Sequence, residues 1–445
     1  MAEIPWKDIH LCAHKLGEMI RIPTVSKAEH EDLTEFYRFH KVLEVHFPQI
    51  HQKLEKTVLN GSLLYLWKGT GSGEPILLMG HQDVVPASDE GWSVGAFSGE
   101  VRDCRLYGRG ALDCKGTMFA ELQAIEELLE EGYVPSRDIY LAFSINEETG
   151  GDGAAAIMRH LKAQGVRLAM ALDEGGAVLD KAVDGMDKPY AVIGVTEKGY
   201  MDVKITARGK GGHSSTPPRN TPAARLFAFA AEIERKRPFK KKLLPVAEAM
   251  LNAMAPSFPK PLGFFLKHTK LFRPLLMTVM PMVSPFGEAV LQTTCCFTMM
   301  EGSSAANVIP KEPYLVANLR TSVHQSCEES LAVLQKYADK YDLELTVLLQ
   351  RDASPVSDLN SEAYKHLTAL IREHFPEAGV APYMLMGGTD CRHFHALTDS
   401  ALRFSPVRMT AEQSASCHGV DENVTLQSLV EAVVFYKDLI RRFPQ

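Results

Sequence analysis

Ile76-Leu77-Leu78-Met79-Gly80-His81-Gln82-Asp83-Val84-Val85-Pro86 joins four consecutive apolar residues to a histidine and an aspartate two positions apart. A short apolar run bounded by turn residues reads as a strand buried on both faces, and residues two apart in extended chain project to the same side. His81 and Asp83 therefore stand together at the C-terminal end of a strand. The same figure recurs at Ile139-Tyr140-Leu141-Ala142-Phe143-Ser144-Ile145, which runs into Asn146-Glu147-Glu148-Thr149-Gly150-Gly151. It recurs again at Leu168 to Leu172, which runs into Asp173-Glu174-Gly175-Gly176. Between the first two, Met118, Leu122, Ile125 and Leu129 fall at helical spacing ahead of Gly132, placed for a C-terminal cap. A further helix is expected near 154–163. Strands alternating with helices make a mostly parallel α/β sheet, and such an open sheet builds its site beyond the C-terminal ends of its strands.

The texture changes near residue 199. Met201, Val203 and Ile205 alternate with polar residues, as on a half-exposed strand. A helix near 221–235, strands near 292–300 and 313–320, a helix near 326–340 and a strand at 343–349 follow. Strand-helix-strand-strand-helix-strand is a ferredoxin-like order. Strand–helix alternation resumes after Ser357. The expected architecture is α/β, with a discontinuous domain of residues 1–198 and 351–445 around a mostly parallel central sheet. An α+β lid or dimerisation domain, 199–350, is inserted into it. Residues 243–290 interrupt the inserted domain and are rich in Met, Phe and Leu, from Met250 through Phe264, Phe265 and Leu271 to Met282. They read either as extra helices burying their own core or as an adaptable apolar wall for a greasy substrate, because Met-rich surfaces repack readily.

Composition bounds the function. The 445 residues carry 48 Lys and Arg against 55 Asp and Glu, a formal net charge of −7. That balance gives no global attraction to nucleic acid or to an anionic membrane. No apolar run reaches the roughly 18–20 residues of a spanning helix. Met1 to Asp8 lacks the basic-then-apolar pattern of a signal peptide. The 8 cysteines are scattered with no C-x-x-C pair, so no disulfide framework is expected. A cytoplasmic enzyme is the expectation.

The chemistry lies at the strand ends. Asp113, in Gly108-Arg109-Gly110-Ala111-Leu112-Asp113-Cys114-Lys115-Gly116, opens the helix that carries Met118 and by itself reads as an N-cap. The adjacent Glu147 and Glu148 repel one another unless a cation or a proton is shared. A metal neutralises one and leaves the other free as a general base. Three strand ends and one strand-to-helix loop thus bring carboxylates and a histidine together. Oxygen and imidazole donors suit zinc, with manganese or cobalt as rivals.

These segments, with Val195-Thr196-Glu197-Lys198-Gly199, Gly212-His213-Ser214-Ser215 and His418-Gly419-Val420-Asp421-Glu422, resemble the co-catalytic zinc peptidases of the aminoacylase and carboxypeptidase S family. Within it they resemble the branch of N-fatty-acyl-amino acid hydrolase/synthases, from Gly80 to Asn423. The resemblance implies two divalent metal ions. Asp113 bridges them, His81 and one residue of the Asp173-Glu174 pair complete one site, and Glu148 and His418 complete the other. Adjacent strand residues point oppositely, so one of the pair ligates, and Asp173 is preferred. A cis peptide at Asp113-Cys114 is also implied, as are Glu147 as general base and Asp83 as the partner that orients His81. His213 becomes the oxyanion donor, serving its own site or that of a dimer partner. For a substrate carboxylate the resemblance points to Asn307, Arg320, Gly388, Thr389 and Arg392. Asn318 stands where many relatives carry an aspartate two residues before the strand arginine, which leaves the support of Arg320 open. The implied activity is hydrolysis of the amide bond in N-acyl amino acids, long-chain acyl groups included, with the reverse condensation sharing its transition state. A dipeptidase or carboxypeptidase for apolar peptides is the alternative. An inactive binding or dimerisation protein on the same scaffold is a second class, opposed by the complete set of ligands and base. The partners implied are a small acyl-amino acid or peptide and a second copy joined through the lid domain, with no nucleic acid.

Overall fold

The computed structural model describes residues 6–27, 32–183 and 185–444, so Met1 to Pro5, on which the leader reading rests in part, lie outside the described residues. Its centre is the strand Ile76–His81, buried at every position. It pairs in parallel with Ile139–Ser144 on one side and Met170–Asp173 on the other. A strand hydrogen-bonded along both edges and covered on both faces has no polar side to offer, hence the unbroken Ile-Leu-Leu-Met. Ala401–Arg403 continues the parallel run beside Met170–Asp173. Antiparallel strands close one edge through Ser62–Trp67 and Glu55–Leu59. The other flank is built on Tyr190–Glu197, which Gly379–Leu385 joins in parallel. Among the described residues, ten strands make the sheet.

Helix Lys115–Glu130 is buried almost all round, because it lies between the sheet and the C-terminal helix Leu426–Arg442. Helix Gly153–Ala163 and the turn Asp390–Ala396 cover the opposite face. The two layers leave only the strand ends open, and the loops there carry the polar residues.

A second sheet has four antiparallel strands in the order Thr294–Glu301, Tyr314–Thr321, Gly199–Thr206, Glu344–Arg351. Helices Pro222–Lys236 and Cys327–Lys340 cover one face, the latter opened by a capping box at Ser326 and Glu329. The alternating burial of Gly199–Thr206 follows from that one-sided cover. Chain order and strand order together are ferredoxin-like. Only Lys198 separates the strand Tyr190–Glu197 of the large sheet from Gly199–Thr206 of the small one. At Gly199 a Cβ would lie 2.2 Å from Thr321 Oγ1 and 2.6 Å from the Arg351 carbonyl, so the crossing admits no side chain there.

The insertion departs from its expected place. Residues 243–290 interrupt the smaller unit in sequence, yet Leu243, Met250, Met254, Leu266, Leu276 and Val290 pack with Tyr190, Val192, Ala381 and Met384 of the large sheet. That flank carries apolar side chains with no other cover, and the helices Pro245–Met254, Leu262–Lys267, Thr269–Val283 and Pro285–Leu291 supply it. Among the described residues no helix is long and apolar enough to cross a membrane.

Arg403 and Glu197 form an ion pair with both side chains buried. Glu197 also accepts from the backbone N–H of Thr389 at 3.0 Å and from its hydroxyl at 2.8 Å. One carboxylate thus ties two neighbouring strands to the loop after Gly379–Leu385. Removing one partner of such a pair strands a buried charge. Arg403→Leu is expected to lower the unfolding free energy by about 3–5 kcal/mol, measured as a shift of the urea midpoint at unchanged slope.

Candidate metal centre

His81 closes its strand with Nδ1 2.9 Å from the Asp83 carbonyl and 3.4 Å from the Asp83 carboxylate. Nδ1–H donates there, which turns Nε2 toward Asp113 Oδ1, 3.0 Å away. The Asp83 carboxylate accepts from Ser26 Oγ at 2.7 Å and from the backbone N–H groups of Glu147 and Glu148 at 3.2 and 3.1 Å. It therefore locks two strand ends together while orienting the histidine. His418, held in the left-handed region at φ 60°, sets Nε2 3.0 Å from Asp113 Oδ2 and 3.1 Å from Glu148 Oε2. Asp113 thus lies between two histidines, one on each oxygen. The peptide bond from Asp113 to Cys114 is cis. The N-cap of Lys115–Glu130 is Cys114, so Asp113 is released from capping and points into the site.

Two donor sets result, His81–Asp113–Glu174 and Asp113–Glu148–His418, each with one ligand atom per residue and all atoms within 4.8 Å. Burial, then the charges of Asp113 and Asp173, hold Glu174 well above the usual carboxylate range. Glu147 is also held well above it, by burial first; His81 opposes the rise, and Asp390, Asp113 and Asp83 add to it. Glu148 Oε1 is buried with no hydrogen-bond partner among the described residues. Buried carboxylates that repel one another ionise together only beside a cation. The donor set of oxygens and imidazoles fits a pair of divalent ions of the zinc, manganese or cobalt kind.

One preference of the sequence reading is corrected. Asp173 faces away from the cluster: its oxygens accept the N–H of Glu174 at 2.9 Å and the N–H of Cys391 at 2.8 Å. The strand Met170–Asp173 ends there, so strict alternation no longer governs Glu174, which turns to His81 and Asp113. Burial, then Asp390, raises the Asp173 carboxyl to about 7.

A cavity of about 360 Å³ opens beside Glu147, Glu148 and His418, and Lys198, Arg320, Arg351 and Arg392 also line it, with Gly388. Arg320 and Arg351 stack on Tyr200, at 4.7 and 5.7 Å from the ring centre. The Tyr200 hydroxyl donates to Asp202 at 2.8 Å, and Asn318 Nδ2 donates to the other Asp202 oxygen at 2.8 Å. Asn318 therefore supports Arg320 indirectly, through Asp202 and the aromatic ring beneath the guanidinium. Arg392 Nε and Nη2 and Arg351 Nε are buried with no hydrogen-bond partner among the described residues. Lys198 donates to the carbonyls of Ala289 and Gln292, and burial followed by the charge of Arg320 lowers it to about 7. Thr389 is spent on Glu197 and does not line the cavity.

His213 and Asn307 are brought together, but elsewhere. Gly212–His213 pairs with Val308–Ile309 in an exposed two-stranded ribbon, the Asn307 carbonyl accepts from Ser214 N–H at 3.0 Å, and neither residue lines the cavity.

Two contributors escape the sequence reading. Glu422 Oε1 accepts from the N–H groups of Gly110, Leu112 and Asp113 at 3.1, 2.8 and 3.1 Å, and Oε2 accepts from Arg109 at 2.6 Å. It holds the loop that aims Asp113, and its sole signal in sequence is its place four residues after His418. Arg351 ends the strand Glu344–Arg351 of the smaller sheet and carries no local signal.

Residues 77–442 match the profile of peptidase family M20/M25/M40. The chain belongs to this family. It is a hydrolase of the metallopeptidase type, in a metal-dependent family. The chain is 36% identical to an N-fatty-acyl-amino acid synthase/hydrolase of Xenopus tropicalis, covering 99% of this chain and 87% of that one. It is 32% identical to a probable carboxypeptidase S-like protein of Dictyostelium discoideum, covering 98% and 85%. Among solved structures, an M20 family metallo-carboxypeptidase from Sulfolobus solfataricus shares the fold with a TM-score of 0.72 at 16% identity, over 97% of this chain and 99% of that one. Human carnosine dipeptidase 1 shares it at 0.66 and 16%, over 97% and 96%.

Glu422→Gln keeps the shape but exchanges an anionic acceptor for a neutral amide at the loop that positions Asp113. Metal affinity is expected to fall about tenfold or more, measured by competition with a chromophoric chelator.

Proposed function

We propose that this chain hydrolyses the amide bond of N-acyl amino acids that carry a free carboxylate, long-chain acyl groups included. The observation that carries the reading is the set of buried guanidinium N–H groups of Arg392 and Arg351 that make no hydrogen bond among the described residues and line the same cavity as Glu147; Arg392 keeps an ion pair with Asp390 at 3.9 Å. Buried donors of that kind call for an acceptor, and a substrate carboxylate is a bidentate one. The long-chain preference is supported by the name of the Xenopus tropicalis relative.

His81, Asp113 and Glu174 hold one divalent ion in this reading, and Asp113, Glu148 and His418 the other, with zinc the first candidate. When bound, the two ions would supply Lewis acidity and lower the pKa of nearby water. Glu147 takes the proton of the attacking water and returns it to the departing amine. Its carboxyl, raised by burial, is suited to both steps. Asp83 keeps the proton of His81 on Nδ1. Arg392, Arg351 and Arg320 fix the substrate carboxylate, and with it the distance from Glu147 to the scissile bond. His213 and Asn307 are assigned to the cavity of a second copy, in a homodimer joined through the smaller unit. Their joint exposure outside their own cavity supports that assignment.

A second reading, a dipeptidase or carboxypeptidase for apolar peptides, is supported by the carboxypeptidase S-like relative. A panel of N-oleoyl-phenylalanine, its carboxamide and glycyl-leucine, assayed with controlled zinc, separates the two. Cleavage of N-oleoyl-phenylalanine at more than about ten times the rate of the carboxamide is expected, since only the acid satisfies the buried arginines. Cleavage of glycyl-leucine with N-oleoyl-phenylalanine left intact sinks the first reading. Glu147→Gln is expected to keep its metal stoichiometry and lose about 10²–10⁴ in kcat. Metal analysis alongside steady-state kinetics checks both, and an inactive scaffold would show no metal-dependent turnover to lose.

A further inference from the structure

Outside the metal centre, the outer surface of the insertion helices has no part in the function. On the helix Thr269–Val283, Leu271, Leu275, Val279 and Met282 recur at spacings of four, four and three, which is one face. Leu271 is 73% exposed and Met282 79%, and Phe264 of the preceding helix Leu262–Lys267 is 53% exposed. The other side of Thr269–Val283 already buries Leu276 in the core of the insertion. The outward stripe is therefore additional to what folding requires. Single exposed hydrophobic residues are ordinary, but a stripe along one helix marks a binding surface.

Charge selects the occupant. From Ala249 to Gly287 the sequence contains no Asp or Glu, while Lys260, Lys267, Lys270 and Arg273 lie within it, in a chain of net charge −7. Arg273 pairs with Glu248. The three lysines are exposed and make no ion pair among the described residues. A symmetric contact between two copies of this segment would offer these cations no acidic partner, because Ala249 to Gly287 carries none. Apolar side chains beside unpaired lysines on a helix lying along the surface match the boundary of an anionic bilayer. There the apolar face enters the acyl region and the long cationic chains reach the headgroups.

We propose that Leu262–Lys267 and Thr269–Val283 dock the enzyme on anionic phospholipid membranes. Phe264, Leu271, Leu275 and Met282 enter the acyl boundary, and Lys260, Lys267 and Lys270 meet the headgroups. The longer helix has 15 residues and lies in the interface. Docking brings the metal centre to the phase in which a long-chain acyl substrate accumulates, but it does not depend on that substrate reading.

The test is sedimentation of the full chain with vesicles of phosphatidylcholine alone or with about 30% phosphatidylserine. Binding to the anionic vesicles is expected to be at least about tenfold tighter and to weaken as salt is raised. The double change Leu271→Glu with Met282→Glu should weaken it by about tenfold or more, as should Lys267→Glu with Lys270→Glu. Circular dichroism and melting temperature report that the fold is intact. Should the first pair unfold the chain, Leu271→Trp serves instead: the emission of the introduced indole should shift to the blue with anionic vesicles. Absence of binding to anionic vesicles overturns the proposal, as does binding that neither pair of changes alters, or an indole emission in the Leu271→Trp chain that stays unmoved. A dimer that dissociates on Leu271→Glu with Met282→Glu, with no vesicle binding by the unchanged chain, identifies the face as a contact between copies and also overturns it.

Discussion

The repulsion among carboxylates gathered at the ends of buried strands is the constraint that organises this molecule. Asp83, Asp113, Glu147, Glu148, Asp173, Glu174, Asp390 and Glu422 all lie in or beside one region of low solvent access, where unpaired charge is costly. The fold sorts them into two kinds. Asp83, Asp173 and Glu422 are satisfied by backbone N–H groups, by Ser26 or by Arg109, and Asp390 takes the Ser144 hydroxyl. Glu174 faces His81, Glu148 faces His418 and Asp113 faces both, and among the described residues one oxygen of Glu148 is buried without a hydrogen-bond partner. A bound cation would supply what the chain withholds from them. The satisfied group in turn holds the backbone that aims the others: Asp83 fixes the Glu147-Glu148 turn, and Glu422 fixes the loop of Asp113.

The second consequence is a division of labour between the sheets. Every residue of the two donor sets belongs to the large unit, whereas Arg320 and Arg351 come from strands of the small one. The cavity joins them because the chain crosses between sheets at Lys198 and returns just beyond Arg351. Glu197, paired with Arg403, and Lys198, bonded to the end of the last insertion helix, anchor that crossing. The spacing between the donor sets and the arginines of the cavity is therefore a property of the junction.

Much of this was legible in the sequence. The strands at 76 and 139 read as apolar because both their faces are covered, and period-2 alternation announced the one-sided cover of Gly199–Thr206. The helix expected near 326–340 is Cys327–Lys340. Where such local rules end, so does legibility. Alternation inside a strand lets only one of Asp173 and Glu174 face the site without saying which, and the strand stops at Asp173. The insertion was assigned to the smaller unit by adjacency in sequence, whereas burial placed it on the large sheet. Asn318 looked like a lost partner for Arg320, and its role passes instead through Asp202 and Tyr200, neighbours across a strand ladder.

By itself the sequence determined the alternation of elements, the two-sheet architecture and the placing of His81, Glu147, Glu148 and the Asp173-Glu174 pair at strand ends, because periodicity and turn chemistry are local. Only the tertiary structure decided which carboxylates face one another, that Glu422 aims Asp113 from 309 positions away, and that Arg351 joins Arg392 at one cavity. It also left His213 outside that cavity. Those outcomes rest on contacts between segments far apart in the chain, where the choice is made by burial and by the supply of donors to each buried charge, and no local pattern records that supply.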